Sequence, residues 1–157
     1  MTFSTSPATP PAQRLAARLA ELQDRHGFTL LDAGSFAAFA DLPGTSLVMF
    51  AEDPAKVPET WDLTIILPEA LRHVAGEVRV ALLAPEAARK LAARYGIRFW
   101  PALLALRDGD YLGSIEGLKD WSTYARQLPE LLAGAATRPP GIGIPVATAG
   151  ACATACH

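Results

Sequence analysis

Residues 94–117 read RYGIRFWPALLALRDGDYLGSIEG, and this stretch decides the fold. ALLALR (102–107) and DYLGSIE (110–116) flank Asp108–Gly109, a pair that supplies the positive-φ residues of a type I′ turn and so predicts a two-residue β-hairpin. On the other side, PEAARKLAARYG (85–96) opens with Pro and closes with Gly, the asymmetry expected of a helix. Trp100–Pro101 stands at the entry to the first hairpin strand.

Working outward, SLVMFA (46–51) is a continuous apolar run bounded by Gly44 and by Glu52–Asp53–Pro54, which predicts a fully buried strand. EVRVALLA (77–84) predicts a second. Between them Leu63, Ile66, Leu67, Ala70, Leu71 and Val74 repeat at helical spacing, with Pro68 expected to kink the helix. Upstream, Ala12, Leu15, Leu19 and Leu22 define a helix over 11–25 that Gly27 stops. FTLL (28–31) predicts a short strand, and SFAAFADL (35–42) a short helix opened by Ser35. Downstream, Leu118, Trp121, Ala125, Leu128 and Leu132 form one helical stripe, which places Trp121 in the core and lets Pro129 bend the helix. From Thr137 the sequence TRPPGIGIPVATAGACATACH has no periodicity and predicts a flexible tail. The expected organisation is a loose N-terminus (1–10), one α/β domain (11–134) with a mixed sheet flanked by helices and a right-handed crossover between 46–51 and 77–84, and a disordered tail (135–157).

Composition agrees with a single core. The chain has 157 residues, half of them apolar and 19% charged, so it is not disordered as a whole. A formal net charge of −2 with no basic block argues against a nucleic-acid binder. The N-terminus lacks the basic start and apolar run of a secretory signal, and no stretch approaches the roughly 20 apolar residues of a membrane helix. Two cysteines near one end make no disulfide framework. A soluble cytoplasmic protein without stable membrane insertion is expected.

Over residues 28–134 this order resembles the thioredoxin fold. The matching features are RYGIRFWP, the Asp-Gly hairpin, Gly113 and Gly117, and Pro68 in the second helix of that fold. The resemblance implies that Trp100–Pro101 is the cis-proline corner that faces a thioredoxin active site. The chain departs from the family where its chemistry resides. Thioredoxins place Cys-x-x-Cys at a helix start after the first buried strand, where the dipole lowers the thiol pKa. Here the segment is AEDPAKVPETWD (51–62), with Thr60 as its only hydroxyl, and the buried acid of that family falls near the apolar Val48. Disulfide exchange requires an attacking thiolate, so this face is not a redox site.

A narrower resemblance covers about residues 10–134. The set LVMFAEDP, ETWD, ILPE, RYGIRFWPALL, RDGDYLG and DW is similar to the thioredoxin-like hydrogenase expression/formation proteins of the HyaE/HupG type. That resemblance implies a non-catalytic assembly chaperone for membrane-bound [NiFe] hydrogenases. It would bind the small-subunit precursor, including its twin-arginine export signal, alongside other assembly proteins, and need no cofactor.

A binder of such a signal should offer negative charge beside an apolar strip. Between 52 and 69 the chain carries Glu52, Asp53, Glu59, Asp62 and Glu69 against Lys56 alone. Arginine pairs with carboxylates through a bidentate fork, and Phe99, Trp100 and Trp61 could add apolar contacts. The expected partner surface is therefore Glu52, Asp53, Glu59, Trp61, Asp62, Phe99, Trp100 and Pro101, with the acidic segment close to Trp100 and an extended peptide gripped by strand addition. Against this stand two plainer readings: acids at a helix start are favoured by the dipole in any case, and Trp61 is as consistent with core as with contact. His26 and His73 have no ligand-spaced partners. In the tail, Cys152, Cys156 and His157 form C-x3-C-H. Stable sites usually close with four ligands, so incidental cysteines are the simplest reading, with metal binding and a reversible disulfide as the alternatives. Two competing functions follow: a thiol-disulfide oxidoreductase using that pair, or a structural thioredoxin-like subunit of another complex.

Overall fold

The computed structural model of the chain describes residues 7–140. The expectations for residues 1–6, and for 141–157 with Cys152, Cys156 and His157, lie outside the described residues. The chain runs α1 (Pro11–His26), β1 (Thr29–Leu31), α2 (Phe36–Ala40), β2 (Thr45–Phe50), α3 (Glu59–Leu71), β3 (Arg79–Leu83), α4 (Pro85–Ala92) with a 3₁₀ turn (Ala93–Tyr95), β4 (Ala102–Arg107), β5 (Asp110–Glu116) and α5 (Trp121–Ala133). The sheet order is β1-β3-β2-β4-β5. β3 runs parallel to both β1 and β2, while β2–β4 and β4–β5 are antiparallel. This mixed sheet, with helices on both faces, is a thioredoxin-like fold.

Alternation along β2 divides the core. Leu47 and Met49 point to the layer built by Leu15, Leu19 and Leu22 of α1, Leu63 and Leu67 of α3, and Tyr124, Leu128 and Leu132 of α5. Val48 and Phe50 point to the opposite layer, with Phe36 and Phe39 of α2, Ala88 and Ala92 of α4, and Tyr95. The hairpin turn has positive φ at both Asp108 (52°) and Gly109 (85°), as a type I′ turn requires. The Asp108 carboxylate also accepts the Gly44 N–H at 2.7 Å, tying the turn to the start of β2. Gly113 has no room for a side chain: a Cβ there would lie 2.6 Å from a Leu131 methyl. Beyond α5 the chain crosses β5. Thr137 donates its N–H to the Tyr111 carbonyl at 2.7 Å, and Pro140 packs against Gly96.

One expectation needs correction and two gain detail. Trp121 is 42% exposed and meets His73 edge-on, with ring centroids 5.5 Å apart. It is the first residue of α5, and helical side chains lean toward the N-terminus, so Trp121 overhangs the core and Tyr124 fills the place expected of it. Ser35 stands at the N-cap position of α2 as expected, but its hydroxyl makes no cap bond; it accepts the Asp32 N–H at 3.0 Å, closing the preceding turn instead. α3 starts at Glu59, four residues before its first apolar stripe residue, with Glu59 and Asp62 in the first turn where the helix dipole favours acids.

The N-terminal helix is part of the core. Leu19 is 1% exposed, so Leu19→Ala should cost about 2–4 kcal/mol, read from the urea denaturation midpoint. An unchanged midpoint would mean that α1 is a detachable extension.

Candidate functional site

β2 and β4 pair as far as Phe50 and Ala102, which brings the segment after Phe50 beside the residues before Ala102. The Trp100–Pro101 bond is cis, as the resemblance implies. Pro101 is buried, and its carbonyl accepts the Gly117 N–H at 2.9 Å. The Trp100 ring lies half-buried, 6.3 Å from that of Phe50. Phe99 projects outward and is 66% exposed. One carboxylate supports this corner: Glu116, at the end of β5, accepts the backbone N–H groups of Arg98 (2.5 Å) and Phe99 (3.3 Å). Sequence reasoning passed over Glu116, because only the closed hairpin brings it opposite residues 98 and 99.

Glu52 turns inward. It is 7% exposed, and Arg89 of α4 engages it with Nη2 to Oε1 at 2.7 Å and Nε to Oε2 at 3.0 Å. Oε1 also accepts the Asp53 N–H at 2.7 Å, and the Glu52 N–H reaches the buried Thr60 hydroxyl at 3.4 Å. The hydrogen bonds from Arg89 hold the Glu52 carboxyl below its ordinary range despite its burial, and the guanidinium is pushed up in turn. Its carboxylate is thus spent on fixing the loop to α4. Asp53 shapes the same loop, its Oδ1 accepting the Ala55 N–H at 2.9 Å. Glu59 and Asp62 are exposed on the first turn of α3. Trp61 is half-buried and faces α1, with the Arg14 guanidinium carbon 5.3 Å above its ring centroid.

The eight expected residues therefore occupy two neighbourhoods. Phe99, Trp100 and Pro101 form a corner at the strand ends, with Glu52 and Asp53 on the loop that follows β2. Trp61 and Asp62 lie at the seam between α1 and α3, with Glu59 on the same helical turn. The only hydroxyl in 51–62 is Thr60, which is buried, and no residue from 7 to 140 is a cysteine.

By fold and corner geometry this is a thioredoxin-like protein without the family's thiols at their usual place. The model of the family described as "Hydrogenase-1 expression protein HyaE" matches residues 18–124. The chain is 34% identical over 155 residues to the hydrogenase expression/formation protein HoxO of Cupriavidus necator, covering 98% of this chain and 92% of that protein. It is also 34% identical over 112 residues to the hydrogenase expression/formation protein HupG of Bradyrhizobium diazoefficiens, covering 69% of this chain and 76% of that protein. The chain belongs to the HyaE family of hydrogenase expression proteins. Among the described residues, no helix is long and apolar enough to cross a membrane.

Two predictions test the site's scaffolding. Glu52→Gln should lower stability by about 1–2 kcal/mol at pH 7, the low end for a charged hydrogen-bonded group because Arg89 is 47% exposed. A depressed folded-state pKa adds stability above the ordinary glutamate value of 4.5 and loses it as pH falls through the folded value. The gap between wild type and variant should therefore close as pH drops below 4.5; a gap independent of pH would contradict the pairing. Glu116→Ala should speed amide hydrogen exchange at Arg98 and Phe99 by about tenfold, with Glu116→Gln recovering much of the protection.

Proposed function

We propose that the chain is a non-catalytic assembly factor for a [NiFe] hydrogenase. Acting in the cytoplasm, it holds the small-subunit precursor, with its twin-arginine export signal, until other assembly proteins have completed the subunit. The observation that carries this reading is the corner itself. A fold related to thiol oxidoreductases presents an exposed Phe99 and a half-buried Trp100 at the strand ends, with no thiol among the described residues. Relatives covering most of the chain are hydrogenase expression/formation proteins. At that corner an extended peptide gains apolar contact from the two aromatics and can extend the backbone pairing past Ala102. Asp53 on the loop, and Glu59 and Asp62 at the seam between α1 and α3, supply negative charge for arginine, while Glu52 holds the loop in place.

The test is titration of a fluorescent twin-arginine peptide from a hydrogenase small subunit, with a twin-lysine version and a non-hydrogenase signal alongside. Expected are micromolar or tighter binding to the cognate peptide, a loss of about 3–10-fold on changing arginine to lysine, and weakening at high salt. Trp100→Ala should weaken binding, whereas replacing Cys152 and Cys156 by serine should leave it intact; loss in the serine variant would favour the oxidoreductase. The serine variant is a cleaner test than truncation after Gly134, which also removes the Thr137–Tyr111 bond. No binding to any of the peptides would sink the signal-peptide part of the proposal and leave the mature small subunit to be tested by pull-down.

A further inference from the structure

Two cavities open along the seam between α1 and α3, and Arg14 and Trp61 line both. One, of about 350 Å³, is walled by Pro54, Pro58 and Asp62; the other, of about 400 Å³, by Ala17 and Ile65. Trp61 and Arg14 are common to the two linings, the guanidinium carbon 5.3 Å above the indole. The two arginines of α1 at this seam are held differently. Arg18 is tied down by the Thr64 carbonyl at 3.0 Å and by Glu21 at 3.1 Å. Arg14 has no carboxylate or hydrogen-bond partner for its guanidinium among the described residues; the Trp61 face is what it rests on. Asp62 borders the cavity without pairing with it.

We propose that Trp61 is the floor of a seat for an arginine guanidinium, and that Arg14 fills this seat as an internal stand-in until an arginine of a partner's basic segment replaces it. An indole face attracts a guanidinium through its quadrupole, and the exposed contact that Arg14 makes is weak enough to exchange. Swinging Arg14 away joins the two cavities into one groove along Trp61 and Ile65, with Asp62 at one end to accept the incoming fork. Lysine fits less well, being a more strongly hydrated point charge without a planar face. The proposal rests on the reading above that a basic peptide is bound, and assigns its arginine to α1 and α3 rather than to the Trp100 corner. Because the free protein is competent only when Arg14 is out of the seat, the apparent affinity is reduced by the fraction of time it is in.

The test uses the full-length protein with N-acetyl-arginine amide as probe and N-acetyl-lysine amide as control, read by NMR on the Trp61 indole N–H, which Trp61→Phe assigns. The arginine probe should shift the Trp61 resonance and the lysine probe should do so less. Arg14→Ala, with Arg14→Gln as a second variant, should tighten the arginine titration about 3–6-fold, the range a contact of this strength sets. A twin-arginine peptide should show the same gain with Arg14→Ala and a loss with Trp61→Phe. If the Trp61 signal ignores the arginine probe in wild type and variants alike, the seat does not exist, whatever the peptide does. If Arg14→Ala weakens the probe or leaves it unchanged, Arg14 is part of the wall and the displacement is wrong. If the probe behaves as expected while no signal peptide binds, the seat stands and the signal-peptide part of the proposed function fails.

Discussion

Strand β2 is buried on both faces and paired on both edges, so residues 46–51 can carry no charge, and the first charge after them is Glu52. Much of the surrounding surface depends on how that carboxylate is satisfied. The strand's end lies between two others. On one side β3 leads directly into α4, whose second turn carries Arg89; on the other, β4 begins just after Trp100 and Pro101. The ion pair therefore fixes the loop to the helix, at the strand end that β2 shares with β4. A desolvated carboxylate without that guanidinium would be costly, and Arg89 is placed to meet it with both arms of a fork.

The elements were legible because each has a local cause. Apolar runs marked β2 and β4, Asp108–Gly109 marked the hairpin, and Pro85 with Gly96 bracketed α4 and its 3₁₀ turn. What escaped the sequence depends on position in space. Trp121 and Tyr124 lie on the same stripe, and only the end of the core decides which of them is covered. Glu52 looks like any loop acid until α4 brings Arg89 across. Glu116 belongs by sequence to a strand, yet its work is done on residues 98 and 99. The cis-proline corner was legible from its motif, but a linear run cannot show that Trp61 faces one helix layer while Trp100 packs beside Phe50 of the other.

A fold that loses its reactive atoms keeps the geometry that once presented a substrate to them. Here the loop after β2 is spanned by Pro54 and Pro58, anchored by a salt bridge and backed by α1, which packs where an added helix can shape one side of the seam. Where thioredoxins carry two thiols, residues 51–62 of this chain carry a loop with two prolines and no cysteine. That fits a chain whose relatives are hydrogenase expression/formation proteins.

The strap from α5 across β5 has a consequence of another kind. An open sheet invites further strands at its edges. The β1 edge is only three residues long, and at the other edge Thr137 occupies the Tyr111 carbonyl before Pro140 closes over Gly96. Self-association by edge pairing is thereby discouraged at both ends of the sheet. The sheet thus meets a second copy of itself with one edge too short to pair and the other already engaged by its own chain.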